Sequence, residues 1–83
     1  MTIRQLEYFC AVAEGRSISA AARALHVAQP PISRQIAQLE AELGVSLIDR
    51  GNRVLGLTEA GKRLSDRAPE LLALADEVAD EVR

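Results

Sequence analysis

The sequence predicts a mainly α fold, a winged helix-turn-helix of three helices plus a two-stranded wing, followed by a long linker helix. Three observations predict it. Residues 18–40, ISAAARALHVAQPPISRQIAQLE, hold a short helix, a tight turn and a second helix opened by a Pro-Pro pair, the pattern of a helix-turn-helix. Residues 45–48 and 53–57 read as two short strands around Gly51-Asn52, a small hairpin. Leu64, Ala68, Leu71, Ala75, Val78 and Val82 recur at alternating spacings of four and three, a heptad seam that wants another helix against it.

Each element has its own signal. Thr2 and Gln5 form a capping box ahead of Leu6, Phe9, Cys10 and Ala13, with Met1 placed to staple against Leu6. That first helix is expected to end at Gly15, which can take a left-handed conformation. Ser17 caps the second helix, where Ile18, Ala21, Ala22 and Leu25 share one face and the small run 20–22 lets another backbone come close. The third helix runs over about residues 30–43, with Ile32, Ile36, Leu39 and Leu43 on a single buried face. Gly44 ends it. Thr58 caps a last helix from residue 59 to the chain end, in which Pro69 removes the hydrogen bond to the Ser65 carbonyl. In an unrelieved interior position that costs ~3 kcal/mol, so the helix is expected to kink or divide there.

The bulk numbers bound the function. A chain of 83 residues is one small domain, and such domains bury only about 60% of their unfolded surface, which makes a partner subunit the natural source of extra stability. Hydrophobic residues at 48% and charged residues at 27% fit a folded soluble domain rather than a disordered one. With one Tyr and one Phe, the core must be aliphatic, and few rings are left on which to stack single-stranded bases. Residues 1–58 carry six Arg against five acids, while residues 59–83 carry four bases against seven acids. The net charge of −2 therefore reflects an acidic C-terminal segment and leaves room for a basic face nearer the helix-turn-helix. No apolar run approaches the ~20 residues that span a bilayer, and no signal peptide is evident, so a cytoplasmic protein without membrane contact is expected. Cys10 can form no internal disulfide and is expected to be a buried thiol, and lone His26 has no ligands at metal spacing. No metal site, no catalytic residue and no cofactor is expected in these residues, since phosphate loops, ligand pairs and activated nucleophiles are all missing.

The face of the third helix opposite its apolar stripe reads Gln29, Ser33, Arg34, Gln35 and Gln38, and residues 27–39 contain no carboxylate. Such groups reach base edges and phosphates, and a polyanion can approach them without like-charge repulsion. Arg50 and Arg53 flank the wing tip, where guanidinium groups can lie along a phosphate backbone or in a minor groove. Double-stranded DNA is the partner this pattern implies. The alternative is a winged helix that binds protein partners without touching DNA, which would more often expose Leu, Phe or Met on the same face.

These residues also carry a family resemblance. Arg4-Gln5-Leu6 with Tyr8-Phe9, Ala21-Ala22, Leu25-His26-Val27, Gln29-Pro30-Pro31, Ser33-Arg34-Gln35-Ile36, Leu39-Glu40, Leu43-Gly44-Val45 and Leu57-Thr58-Glu59-Ala60-Gly61 resemble the N-terminal DNA-binding domain of LysR-type bacterial transcriptional regulators. The resemblance implies a winged helix-turn-helix over residues 1–58, its motif at about 18–37, and a linker helix over 59–83 that pairs in a homodimer. It further implies a tetramer in a full-length protein, whose effector-binding domain for a small molecule would follow Arg83. This chain then reads as an isolated DNA-binding domain.

Position by position, the resemblance places Gln29, Pro30, Pro31, Ser33 and Arg34 at the DNA-facing start of the recognition helix. Gln35, Gln38 and, at the head of the second helix, Ser17 complete the expected helical contacts, with Arg50 and Arg53 on the wing. A guanidinium at Arg34 can bond a guanine O6/N7 pair, and the proline rings can touch thymine methyls. Pro30 and Pro31 equally serve helix initiation, because first-turn amides lack intrahelical partners. Two positions depart from the family. Ala28 stands where Ser or Thr is usual, so a cap worth ~1 kcal/mol is missing, and Ile48 replaces a frequent Phe.

Overall fold

The computed structural model describes residues 1–51 and 55–83, so Arg53 lies outside the described residues. Its elements in order are helices α1 (Ile3–Gly15), α2 (Ile18–Leu25) and α3 (Gln29–Leu43), strands β1 (Ile48–Asp49) and β2 (Gly56–Leu57), and helix α4 (Glu59–Val82). This is a winged helix-turn-helix with a long last helix.

Helix α1 starts where the capping box predicts. The Gln5 N–H donates to Thr2 Oγ1 at 3.0 Å and the Thr2 N–H donates to Gln5 Oε1 at 2.9 Å, satisfying two amides that the helix itself leaves unpaired. Its other end corrects the sequence reading. Gly15 is the last helical residue, and the left-handed residue is Arg16, at φ 54°. A Cβ on Gly15 would sit 3.0 Å from the Ala20 Cβ, so the glycine serves the close approach of α2 instead. Ser17 Oγ accepts the Ala20 N–H at 2.9 Å to cap α2, and left-handed His26, at φ 57°, ends it. Ala21 and Ala22 are buried against the core as their shared face predicts.

In α3, which begins one residue earlier than expected, Ile32, Ile36 and Leu39 are fully buried beside Phe9 and Val12 of α1. The expectation for Leu43 fails: it is 43% exposed. The last turn of α3 has reached the start of α1, where the Met1 ammonium bonds Glu42, and the stripe has run past the layer that could cover it. Gly44, at φ 70°, closes the helix.

The wing strands pair antiparallel, Ile48 opposite Leu57 and Asp49 opposite Gly56, and β1 starts three residues later than the predicted 45–48. The reason lies in Glu40. Its Oε2 accepts the N–H groups of Leu47 at 2.7 Å and Ile48 at 3.2 Å, so the amides entering β1 are turned toward α3. Leu47 and Ile48 then plug the core from the wing side.

Thr58 begins α4 with two bonds, accepting the Gly61 N–H at 3.0 Å on Oγ1 and donating its hydroxyl to the Ser46 carbonyl at 2.5 Å. Of the kink or division expected at Pro69, the division does not occur: α4 is one helix over Glu59–Val82. Pro69 lies on the exposed side, where water can satisfy a carbonyl left without its amide. Leu64 is half-buried and Ala68 wholly buried against the body of the domain. Beyond them the helix projects, giving overall dimensions of 43 × 26 × 19 Å.

Candidate nucleic-acid interface

The first two turns of α3 set the candidate surface. Gln29, Pro30, Arg34 and Gln38 are exposed, and Pro31, Ser33 and Gln35 are half-buried beside them. The prolines occupy the first turn, where their missing amides cost nothing. Because Ile32, Ile36 and Leu39 lock the opposite side into the core, the face is held rigidly and its side chains are presented outward. Arg34 forms no ion pair among the described residues, unlike Arg50, Arg67 and Arg83. Its charge is available to a ligand.

Two interactions that the sequence does not show support this surface. Ala28 makes no side-chain cap bond to α3, as the departure at that position predicts. The tie between the two motif helices runs instead from Gln29 Nε2, which donates to Ser19 Oγ at 2.9 Å. Gln29 thus braces the turn as well as facing outward. Glu40 makes the second. Its carboxylate collects the wing amides and also faces Arg50, whose Nη1 lies 3.7 Å from Oε1. A free Arg50 at the wing is not what the structure shows. Neither role had a local signal, because each partner is distant in sequence or unremarkable in type.

Ser17 lies at the head of α2 as a half-buried cap. Cys10 is only half-buried, not a core thiol, and lines a groove with Ala20 and Leu25 of α2 and Leu72 of α4. Burial raises its pKa above the ordinary thiol value, and the nearby Glu14 carboxylate adds to the shift. The thiol is therefore held protonated and poorly nucleophilic. Among the described residues no three His, Cys, Asp or Glu side chains gather as a metal site.

The heptad seam is divided. Ala68 is 0% exposed and packs within its own domain, so its expected contact with a partner is corrected. Leu71, Val78 and Val82 remain exposed and Ala75 half-buried. Leu74, 55% exposed, and Met1 join Leu64 and Leu71 along one groove, a broader apolar surface than the seam alone.

Residues 3–62 match the family model described as "Bacterial regulatory helix-turn-helix protein, lysR family". The chain belongs to the LysR family. This LysR-family domain is 49% identical over 83 residues to the HTH-type transcriptional regulator TcbR of Pseudomonas sp. (strain P51), with all of the chain covered but only 28% of that regulator. It thus spans little more than a quarter of the length of such relatives. Among solved structures, the DNA-binding domain of CbnR in complex with DNA matches with a TM-score of 0.92 and 49% identity, covering 100% of this chain and 95% of that one. The BenM DNA-binding domain in complex with catB site 1 DNA matches with a TM-score of 0.92 and 43% identity, covering 99% and 91%. These likenesses bear out the winged helix-turn-helix. The relatives are named as transcriptional regulators rather than enzymes, and among the described residues no helix of the LysR-family domain is long and apolar enough to cross a membrane.

Proposed function

We propose that this LysR-family domain binds double-stranded DNA sequence-specifically, as the operator- or promoter-reading part of a bacterial transcription regulator in the cytoplasm, associated with the nucleoid. The observation that carries the reading is the rigid, acid-free outer face of α3. Arg34 and Gln38 enter the major groove, with Gln29, Ser33 and Gln35 beside them and the rings of Pro30 and Pro31 against thymine methyls. Ser17 brings the amides of the α2 N-terminus to a phosphate, and Arg50 and Arg53 carry the wing onto the backbone or minor groove. The likeness to two domains solved with DNA supports this assignment. In the rest of such a regulator we place a small-molecule effector domain and the contacts of a tetramer.

Enrichment of a random pool of duplexes tests the reading. Selected inverted repeats, with log affinity falling on log salt at about −0.9 per phosphate neutralised, are the expected result. No enrichment and no salt-dependent binding would favour a protein-binding winged helix instead.

The domain acts as a homodimer through α4, using Leu71, Leu74, Ala75, Val78 and Val82 and the groove they form with Met1 and Leu64. An isologous pair of this kind places two recognition helices on successive major grooves of one duplex face. Leu71→Glu, which seats a charge where the exposed seam meets the groove of Met1 and Leu64, is expected to shift the sedimentation profile from dimer to monomer and to weaken binding to a two-half-site duplex at least tenfold. An unaltered chain that sediments only as monomer at high concentration, with and without DNA, would refute the dimer.

A further inference from the structure

The contact between Glu40 and Arg50 joins the recognition helix to the wing, and its two halves differ in strength. Glu40 is 15% exposed at its side chain, and one carboxylate oxygen gathers three donors: the Leu47 N–H at 2.7 Å, the Ile48 N–H at 3.2 Å and Ser46 Oγ at 3.3 Å. Those bonds keep the carboxylate satisfied whatever happens at its other oxygen. There Arg50 Nη1 stands 3.7 Å away, and the Arg50 side chain is 50% exposed. A lone, long, solvent-screened pair of this kind holds its cation weakly. A DNA phosphate offers the same guanidinium a bidentate partner with fuller charge.

The geometry points to an exchange of partners: Arg50 rests on Glu40 in the free domain and moves to a phosphate when DNA binds, while Glu40 keeps the wing anchored through the Leu47 and Ile48 amides. Glu40 is then a positioning residue with two effects. It fixes the wing relative to α3, and by competing for Arg50 it lowers attraction to DNA at large. The exchange rests on the DNA-binding reading above.

Binding of the whole chain to its selected duplex across a salt series, for Glu40→Gln, Arg50→Ala and the double variant, tests it. Gln keeps an oxygen to accept the two wing amides and removes the charge that holds Arg50. Glu40→Gln is expected to bind about two- to fivefold tighter, because it releases a pair that contributes little to the fold. Arg50→Ala should bind more weakly with a salt slope shallower by about 0.9, one phosphate's worth. In the Arg50→Ala background the Glu40→Gln gain should vanish, the signature of direct coupling. A gain that persists in that background, or an Arg50→Ala salt slope equal to that of the unaltered chain, would overturn the exchange. The second of these criteria stands even if Glu40→Gln does not fold. No binding by the unaltered chain would overturn the DNA reading itself, whereas binding without coupling overturns the exchange alone.

Discussion

Gly61→Ala is expected to destabilise the domain by about 2 kcal/mol, although the rule for helix interiors predicts the opposite sign. Within a helix, Ala is favoured over Gly by ~1 kcal/mol, and Gly61 lies in the first turn of α4. But Gly61 is buried, and a Cβ there would overlap the carbonyl oxygen of Leu47 and come within 3.3 Å of the Leu57 Cβ. That carbonyl is backbone and cannot rotate away. It also accepts the Thr58 N–H at 3.1 Å, so displacing it disturbs the start of α4 and the entry to β1 together. Overpacking costs up to about 3 kcal/mol, and subtracting the propensity gain leaves the stated loss. For a domain of this size the loss corresponds to a fall in Tm of roughly 8–16 °C. Thermal unfolding followed by circular dichroism measures it, and an unchanged or raised Tm would refute the clash.

Local signals in this sequence were legible where the physics is local. The capping box at Thr2 and Gln5, the Ser17 and Thr58 caps and the Gly44 stop all depend on residues within a few positions of one another, and each is where the pattern put it. The apolar stripe of α3 was equally legible over Ile32, Ile36 and Leu39 and failed at Leu43, because periodicity says which side faces inward but not where the covering layer ends. Gly15 shows a related limit. The sequence read it as a left-handed stop, yet its lack of a side chain is needed for the approach of Ala20 across the corner. Glu40 was invisible as an anchor, since its partners are backbone amides seven and eight residues away and an arginine ten residues away. Ala68 was read with the dimer seam for the same reason: a heptad spacing cannot distinguish the partner's helix from the chain's own body. Of the candidate site, the exposed side chains on α3 were legible, while the bonds that brace them, from Gln29 to Ser19 and from Glu40 to the wing, required the fold.

Arg34→Ala should separate recognition from stability most sharply. Its side chain is exposed and joins no ion pair among the described residues, so removing it leaves no buried group unsatisfied, and surface changes of this sort usually shift stability by less than about 0.5 kcal/mol. If its guanidinium pairs with a guanine edge, the variant loses ~1–3 kcal/mol of binding on the selected site, about five- to 150-fold in affinity, and discriminates less at one base position. The unaltered chain and the variant should then converge on non-specific DNA. Arg53→Ala, by contrast, is expected to weaken binding to every sequence alike, as removal of a phosphate contact does. Arg34→Lys decides between the two kinds of contact. Lysine retains the charge but not the planar pair of donors, so it should restore the salt dependence of binding without restoring the base preference. Full recovery of the preference by lysine, or equal losses on all sequences for Arg34→Ala and Arg53→Ala, would mean that Arg34 contacts the backbone and that base reading falls to the neighbouring Gln and Ser side chains.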